Sequence, residues 1–129
     1  MPLVRIDLPA GTSAEYRAAI GDVVYVAMTE TLNVPKDDRF QIISEHAPAD
    51  LVIDPTYLGI DRSKDAIIIQ VTLNEGRTVD LKKAFYKAVA DGLHERLGVR
   101  REDVLINLVE VSKGDWSFGN GIAKYDPGT

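Results

Sequence analysis

The chain has 129 residues, 45% of them hydrophobic and 27% charged, with no cysteine and a formal net charge of -5. That length fits one compact domain over 1–129. No apolar run is long enough to span a bilayer, and the missing cysteines exclude disulfides, thiolate metal sites, iron-sulfur clusters and cysteine nucleophiles. Acidity without a Lys/Arg-rich face argues against nucleic acid as a partner.

Met1-Pro2-Leu3 leads straight into a strand pattern with no secretory leader, which predicts cytoplasmic residence. Leu3 to Leu8 alternates at period two, Pro9-Ala10-Gly11 breaks the pattern, and Thr12-Ser13-Ala14-Glu15 has capping-box spacing. A helix follows, with Ala18, Ala19, Val23, Val26 and Ala27 on its apolar stripe, and Asn33-Val34-Pro35 stops it after Leu32. Phe40-Gln41-Ile42-Ile43 opens a second strand. Ala66 to Leu73 is a third strand, Thr78 to Leu97 a second helix ended by Gly98, and Val104 to Val109 a fourth strand.

The order strand, helix, strand thus occurs twice, and a shift of 65 positions aligns the copies without a gap. Leu8 meets Leu73, Gly11 meets Gly76, Leu32 meets Leu97, Asp38 meets Asp103 and Glu45 meets Glu110. The repeat covers 1–60 and 66–112, and 113–129 is an extension without a counterpart. A β-α-β unit has parallel strands and a right-handed crossover. Joining two units about a pseudo-two-fold axis predicts an α+β fold: a four-stranded mixed sheet with both helices on one face. The uncovered face predicts an oligomer, a closed ring of three, against the alternative of a monomer with a polar outer face.

In this topology the starts of the first two strands lie side by side, and the end of the third lies beside the start of the first. Pro2, Asp38 and Arg77 are therefore expected to converge. Met1 removal would expose Pro2 as a secondary amine. Arg77 precedes the capping Thr78, where helix N–H groups and dipole favour an anion, so a carboxylate site is implied. Each residue also has a plainer reading: Pro2 as a strand opener, Asp38 as a turn or cap shared with Asp103, Arg77 as a solvated charge. Trp116 and Phe118 share one side of an extended segment, as a pocket wall or as core or interface packing. His46 and His94 stand without a second ligand at metal spacing, so no metal is expected.

Pro2, Asp38-Arg39-Phe40-Gln41-Ile42, Gly76-Arg77-Thr78 and Asp115-Trp116-Ser117-Phe118-Gly119 together resemble the tautomerase superfamily, and within it the malonate semialdehyde decarboxylases, over essentially the whole chain. The resemblance implies a cofactor-independent enzyme and a homotrimer. Its site would comprise a cationic amino-terminal Pro2, Asp38 beside it, Arg77 for the substrate carboxylate, and walls from Trp116, Phe118 and Tyr125. The expected reaction is decarboxylation of a small 3-oxo acid, malonate semialdehyde, to acetaldehyde and carbon dioxide, with hydratase activity at the side. The alternatives are a proline-based keto-enol tautomerase, a hydratase or dehalogenase of a related unsaturated acid, and a trimeric binding protein with a vestigial pocket. The sequence departs from the pattern at Glu75, where a second arginine two positions before Arg77 is expected, and at Tyr125, where phenylalanine is expected.

Overall fold

The computed structural model describes residues 2–123. Six main elements follow in chain order: β1 (Leu3–Pro9), α1 (Ala14–Thr31), β2 (Gln41–His46), β3 (Ile67–Asn74), α2 (Val79–Leu97) and β4 (Val104–Val111). The sheet order is β2-β1-β3-β4. β1 pairs in parallel with β2 and β3 with β4, while β1 and β3 run antiparallel at the centre, with Leu3 opposite Thr72 and Asp7 opposite Ile68. This is the mixed sheet expected from the repeat.

Strand alternation decides which face is covered. Val4, Ile6 and Leu8 of β1 and Ile67, Ile69, Val71 and Leu73 of β3 are all buried. They form one cluster with Ile20, Val24 and Met28 of α1 and Phe85, Val89 and Leu93 of α2, so both helices lie on one face. Each such side chain withdrawn from water contributes about 1.5–3 kcal/mol, which makes the two central strands the anchor of the fold. The helices cross closely at Gly92, where a Cβ would stand 2.8 Å from Val23 Cγ1.

Both helices begin alike. Gly11 and Gly76 have φ of +105° and +116°, a region that favours glycine, and each lies two residues before a capping hydroxyl. Ser13 accepts from the Tyr16 N–H and Thr78 from the Leu81 N–H. The first cap is thus Ser13, one residue later than the spacing of Thr12 and Glu15 implied. Thr12 is occupied elsewhere, donating through N–H and hydroxyl to Glu45 at 2.8 and 2.7 Å. At the far ends, Asn33 and Gly98, also 65 apart, have φ of 57° and 68°.

The opposite sheet face mixes polar pairs with apolar side chains. His46 Nε2 meets Asp7 Oδ1 at 2.6 Å, and Gln70 donates to Asn107 at 2.9 Å. Ile42, Leu105 and Val109 are exposed beside them. His94 Nδ1 lies 3.0 Å from the Val99 carbonyl at the end of α2, so both histidines have structural partners. Among the described residues no group of acidic and histidine side chains has metal-site geometry, and no helix is long and apolar enough to cross a membrane.

Candidate active site

Pro2 immediately precedes β1 and is buried. The Val4 N–H donates to the Phe40 carbonyl at 2.9 Å, which brings the start of β2 alongside. Pro2, Leu3 and Phe40 form one side of a cavity of about 240 Å³, and Trp116, Ser117 and Phe118 form the other. The last three belong to the segment after β4. There Lys113–Asp115 makes a short turn closed by reciprocal Ser112 and Asp115 caps. The chain then folds back through Gly119, Asn120 and Gly121, all at positive φ, so that Ser117 bridges Ala123. Extended geometry places Trp116 and Phe118 on the same side. Their rings stack with centroids 5.2 Å apart and planes 12° apart, and Phe118 meets Phe40 at 5.9 Å.

Asp38 lies in the turn before β2, where its N–H donates to the Pro35 carbonyl at 3.3 Å. It is 6% exposed, a degree of burial rare for a carboxylate. The parallel register that pairs Val4 with Gln41, continued backwards, sets Pro2 level with Arg39, one residue from Asp38. The Arg39 guanidinium turns toward α1, pairing with Asp22 at 2.9 Å and lying over Tyr25. That contact holds the Asp22 carboxyl below its ordinary range, chiefly through the hydrogen bond from Arg39.

Arg77 is half-buried at the loop between β3 and α2. Its Nε donates to the Leu32 carbonyl at 2.9 Å and its Nη1 to the Asn74 carbonyl at 3.0 Å. It thereby places a cation at the C-terminal end of α1, where the dipole favours one. These bonds leave Nη2 outside them. Close by, Glu110 is held below the usual carboxylate range, first by its hydrogen bond from Lys82, with smaller help from the Gly76 N–H and the Arg77 charge.

The cavity thus unites Pro2 with Trp116 and Phe118, whereas Asp38 and Arg77 stand beside it in the chain without lining it. Tyr125 lies outside the described residues. Glu75 is exposed, and its N–H extends the β3–β4 ladder to the Val111 carbonyl at 2.9 Å. Its neighbour Asn74, the last residue of β3, receives the Trp116 indole N–H on its side chain at 2.7 Å. Phe40 and Asn74 were missed as site residues. An aromatic residue two positions after Asp38, and an amide at the end of β3 just before the Gly76-Arg77-Thr78 helix entry, were the available signals.

A small cavity that sets Pro2 against three aromatic rings can hold a small ligand at the start of β1. A family model described as a tautomerase enzyme matches residues 38–119, and a second of the same description matches residues 2–60. Probable tautomerase YusQ of Bacillus subtilis (strain 168) is 41% identical over 124 residues, covering 96% of this chain and 98% of the relative. A crystal structure of a malonate semialdehyde decarboxylase inhibited by 3-bromopropiolate is 41% identical with a TM-score of 0.89, covering 95% of this chain and 93% of that one. A fused 4-OT in a symmetric trimer is 25% identical with a TM-score of 0.76, covering 93% and 94%. The chain belongs to the tautomerase family of enzymes.

Proposed function

We propose that the chain is a cofactor-independent decarboxylase of malonate semialdehyde, working through the secondary amine that Met1 removal would free on Pro2. The observation that carries this reading is the burial of Pro2 in a small cavity walled by Trp116, Phe118 and Phe40. The likeness to the malonate semialdehyde decarboxylase adds support.

A terminal amine has a reference pKa of about 8, so its surroundings choose between base and acid. Apolar walls favour the neutral amine, while an ionised Asp38 favours the ammonium, and Asp38 is assigned the larger effect. The ammonium donates a hydrogen bond to the aldehyde oxygen, and Arg77 holds the carboxylate through its remaining edge. The carbon–carbon bond then breaks. Its electron pair passes into the enolate of acetaldehyde, carbon dioxide leaves, and the proton from Pro2 completes acetaldehyde. The walls assist because the carboxylate loses hydration that carbon dioxide does not need. The same groups can add water to an activated unsaturated acid, giving hydratase activity.

In this reading the chain works as a trimer, like the fused 4-OT. The exposed Ile42, Leu105 and Val109 on the helix-free sheet face support its cover by neighbouring subunits. A second reading, keto-enol tautomerisation with Pro2 as base, is favoured by the name of the Bacillus subtilis relative. The deciding assay mixes protein of verified Met1 removal with malonate semialdehyde and follows acetaldehyde. The proposal expects release that falls as the amine deprotonates. Release no faster than the uncatalysed reaction, together with turnover of a keto-enol pair that rises over the same pH range, replaces it with the second reading.

A further inference from the structure

Asn74 closes β3 and is bonded in two directions at once. Its side-chain Oδ1 accepts the Trp116 indole N–H at 2.7 Å, and its main-chain carbonyl accepts Arg77 Nη1 at 3.0 Å. The indole nitrogen is only a donor, so the amide must present its oxygen to it. The bond joins β3 to a segment 42 residues further along, which has no counterpart in the first half of the chain. Trp116 in turn stacks on Phe118, and Phe118 meets Phe40. One side-chain amide therefore ties Trp116, and through its stack Phe118, to the end of β3.

We propose that Asn74 is a positioning residue that sets the aromatic wall and Arg77 as one unit, the side chain holding Trp116 and the carbonyl holding the guanidinium. Its neutrality matters as much as its reach. An aspartate would accept the same indole bond, but would add a negative charge beside the arginine assigned to the substrate carboxylate. Asn74 thus selects for anionic substrates while keeping the wall closed. The selectivity part rests on the reading of the site as a 3-oxo acid decarboxylase, whereas the anchoring part stands on the geometry alone.

Trp116 is the chain's single tryptophan, so its fluorescence reports on the wall without any substrate. Asn74→Leu removes the acceptor, and the ratio of released to anchored tryptophan read by acrylamide quenching should rise about fivefold, the factor one ordinary hydrogen bond carries. Asn74→Ser, too short to reach the indole, should do the same and serves if the leucine variant does not fold. Asn74→Asp should quench like the wild type. With malonate semialdehyde, Asn74→Asp should raise KM with kcat little changed, whereas Asn74→Leu should lower kcat. Wild-type quenching in the leucine and serine variants, or raised quenching in the aspartate variant, overturns the anchor. Wild-type KM in Asn74→Asp overturns the selectivity. A wild-type protein inactive on malonate semialdehyde removes the decarboxylase reading and the selectivity part, while the quenching result still decides the anchor.

Discussion

One end of the sheet holds Pro2 before β1 and Asp38 before β2; the other, 65 residues on, holds Ile67 in β3 and Asp103 before β4. Both aspartates are buried, at 6% and 3% exposure. Asp103 serves the fold: it accepts the Ser63 N–H at 2.7 Å and the Ser63 hydroxyl at 2.6 Å, and Arg100 stands 3.5 Å away. The cavity at its end, about 450 Å³, is the roomier of the two. Tyr16 lines it, with a hydroxyl pKa pushed up by burial and, less strongly, by the charges of Asp65 and Asp103. Yet position 67 is mid-chain, so its nitrogen is an amide and carries no proton chemistry. The helix-start loops diverge in the same way. Thr12 donates to Glu45, which also pairs with Arg17 at 3.1 Å, and Glu110 pairs likewise with Lys82. Arg77, at the position equivalent to Thr12, turns instead to the Leu32 and Asn74 carbonyls. A duplicated scaffold thus supplies two similar sockets. Pro2, Arg77 and the appended aromatic segment distinguish one of them as the proposed site, although its cavity is the smaller of the two.

The sharpest contrast comes from changing the two aspartates separately. Asp38→Asn should lower kcat/KM by about 10²-fold or more, the usual scale for a group governing proton transfer. Asp103→Asn should keep kcat/KM and lose about 1–3 kcal/mol of stability in urea titration, because the amide nitrogen that replaces Oδ2 cannot accept the Ser63 hydroxyl and the charge facing Arg100 is lost. Equal effects from the two would erase the distinction between the ends.

A smaller effect concerns acid stability at the end opposite Pro2. Glu45 is held below the ordinary carboxylate range, first by the Thr12 hydroxyl and next by the Thr12 N–H, with Arg17 adding less. A lowered folded-state pKa stabilises above the unfolded value of about 4.3 and is lost as pH falls through the folded value. Glu45→Gln should therefore be less stable than the wild type at neutral pH and converge with it in acid, once pH has fallen through the folded value, as thermal melts across that range would read.

The topology was legible because two signals agreed: strand patterns, with period-two alternation in β1 and β-rich apolar runs in β3 and β4, and matches at a fixed shift that fell on glycines, helix ends and buried aspartates. The central antiparallel pair followed from them. What escaped depends on contacts distant in sequence. Glu45 draws Thr12 away from capping across 33 positions, which moves the cap to Ser13. Two short turns, Pro48–Asp50 and Tyr57–Gly59, interrupt the connection between β2 and β3. It is shaped in part by Arg62 Nη1, which donates to the Asp54 and Tyr57 carbonyls, something no periodicity records. Trp116 and Phe118 were visible as a pair, but their anchor on Asn74 was not, since the segment after β4 has no copy to align with.

Labelling with 3-bromopropiolate, compared between processed protein and a form that retains Met1, tests most directly whether the freed nitrogen of residue 2 is the reactive group. Intact mass and peptide mapping should find one adduct on the amino-terminal peptide of the processed form, with loss of acetaldehyde release, and no such adduct when Met1 remains. An adduct elsewhere, or full decarboxylase activity with Met1 in place, would contradict the account.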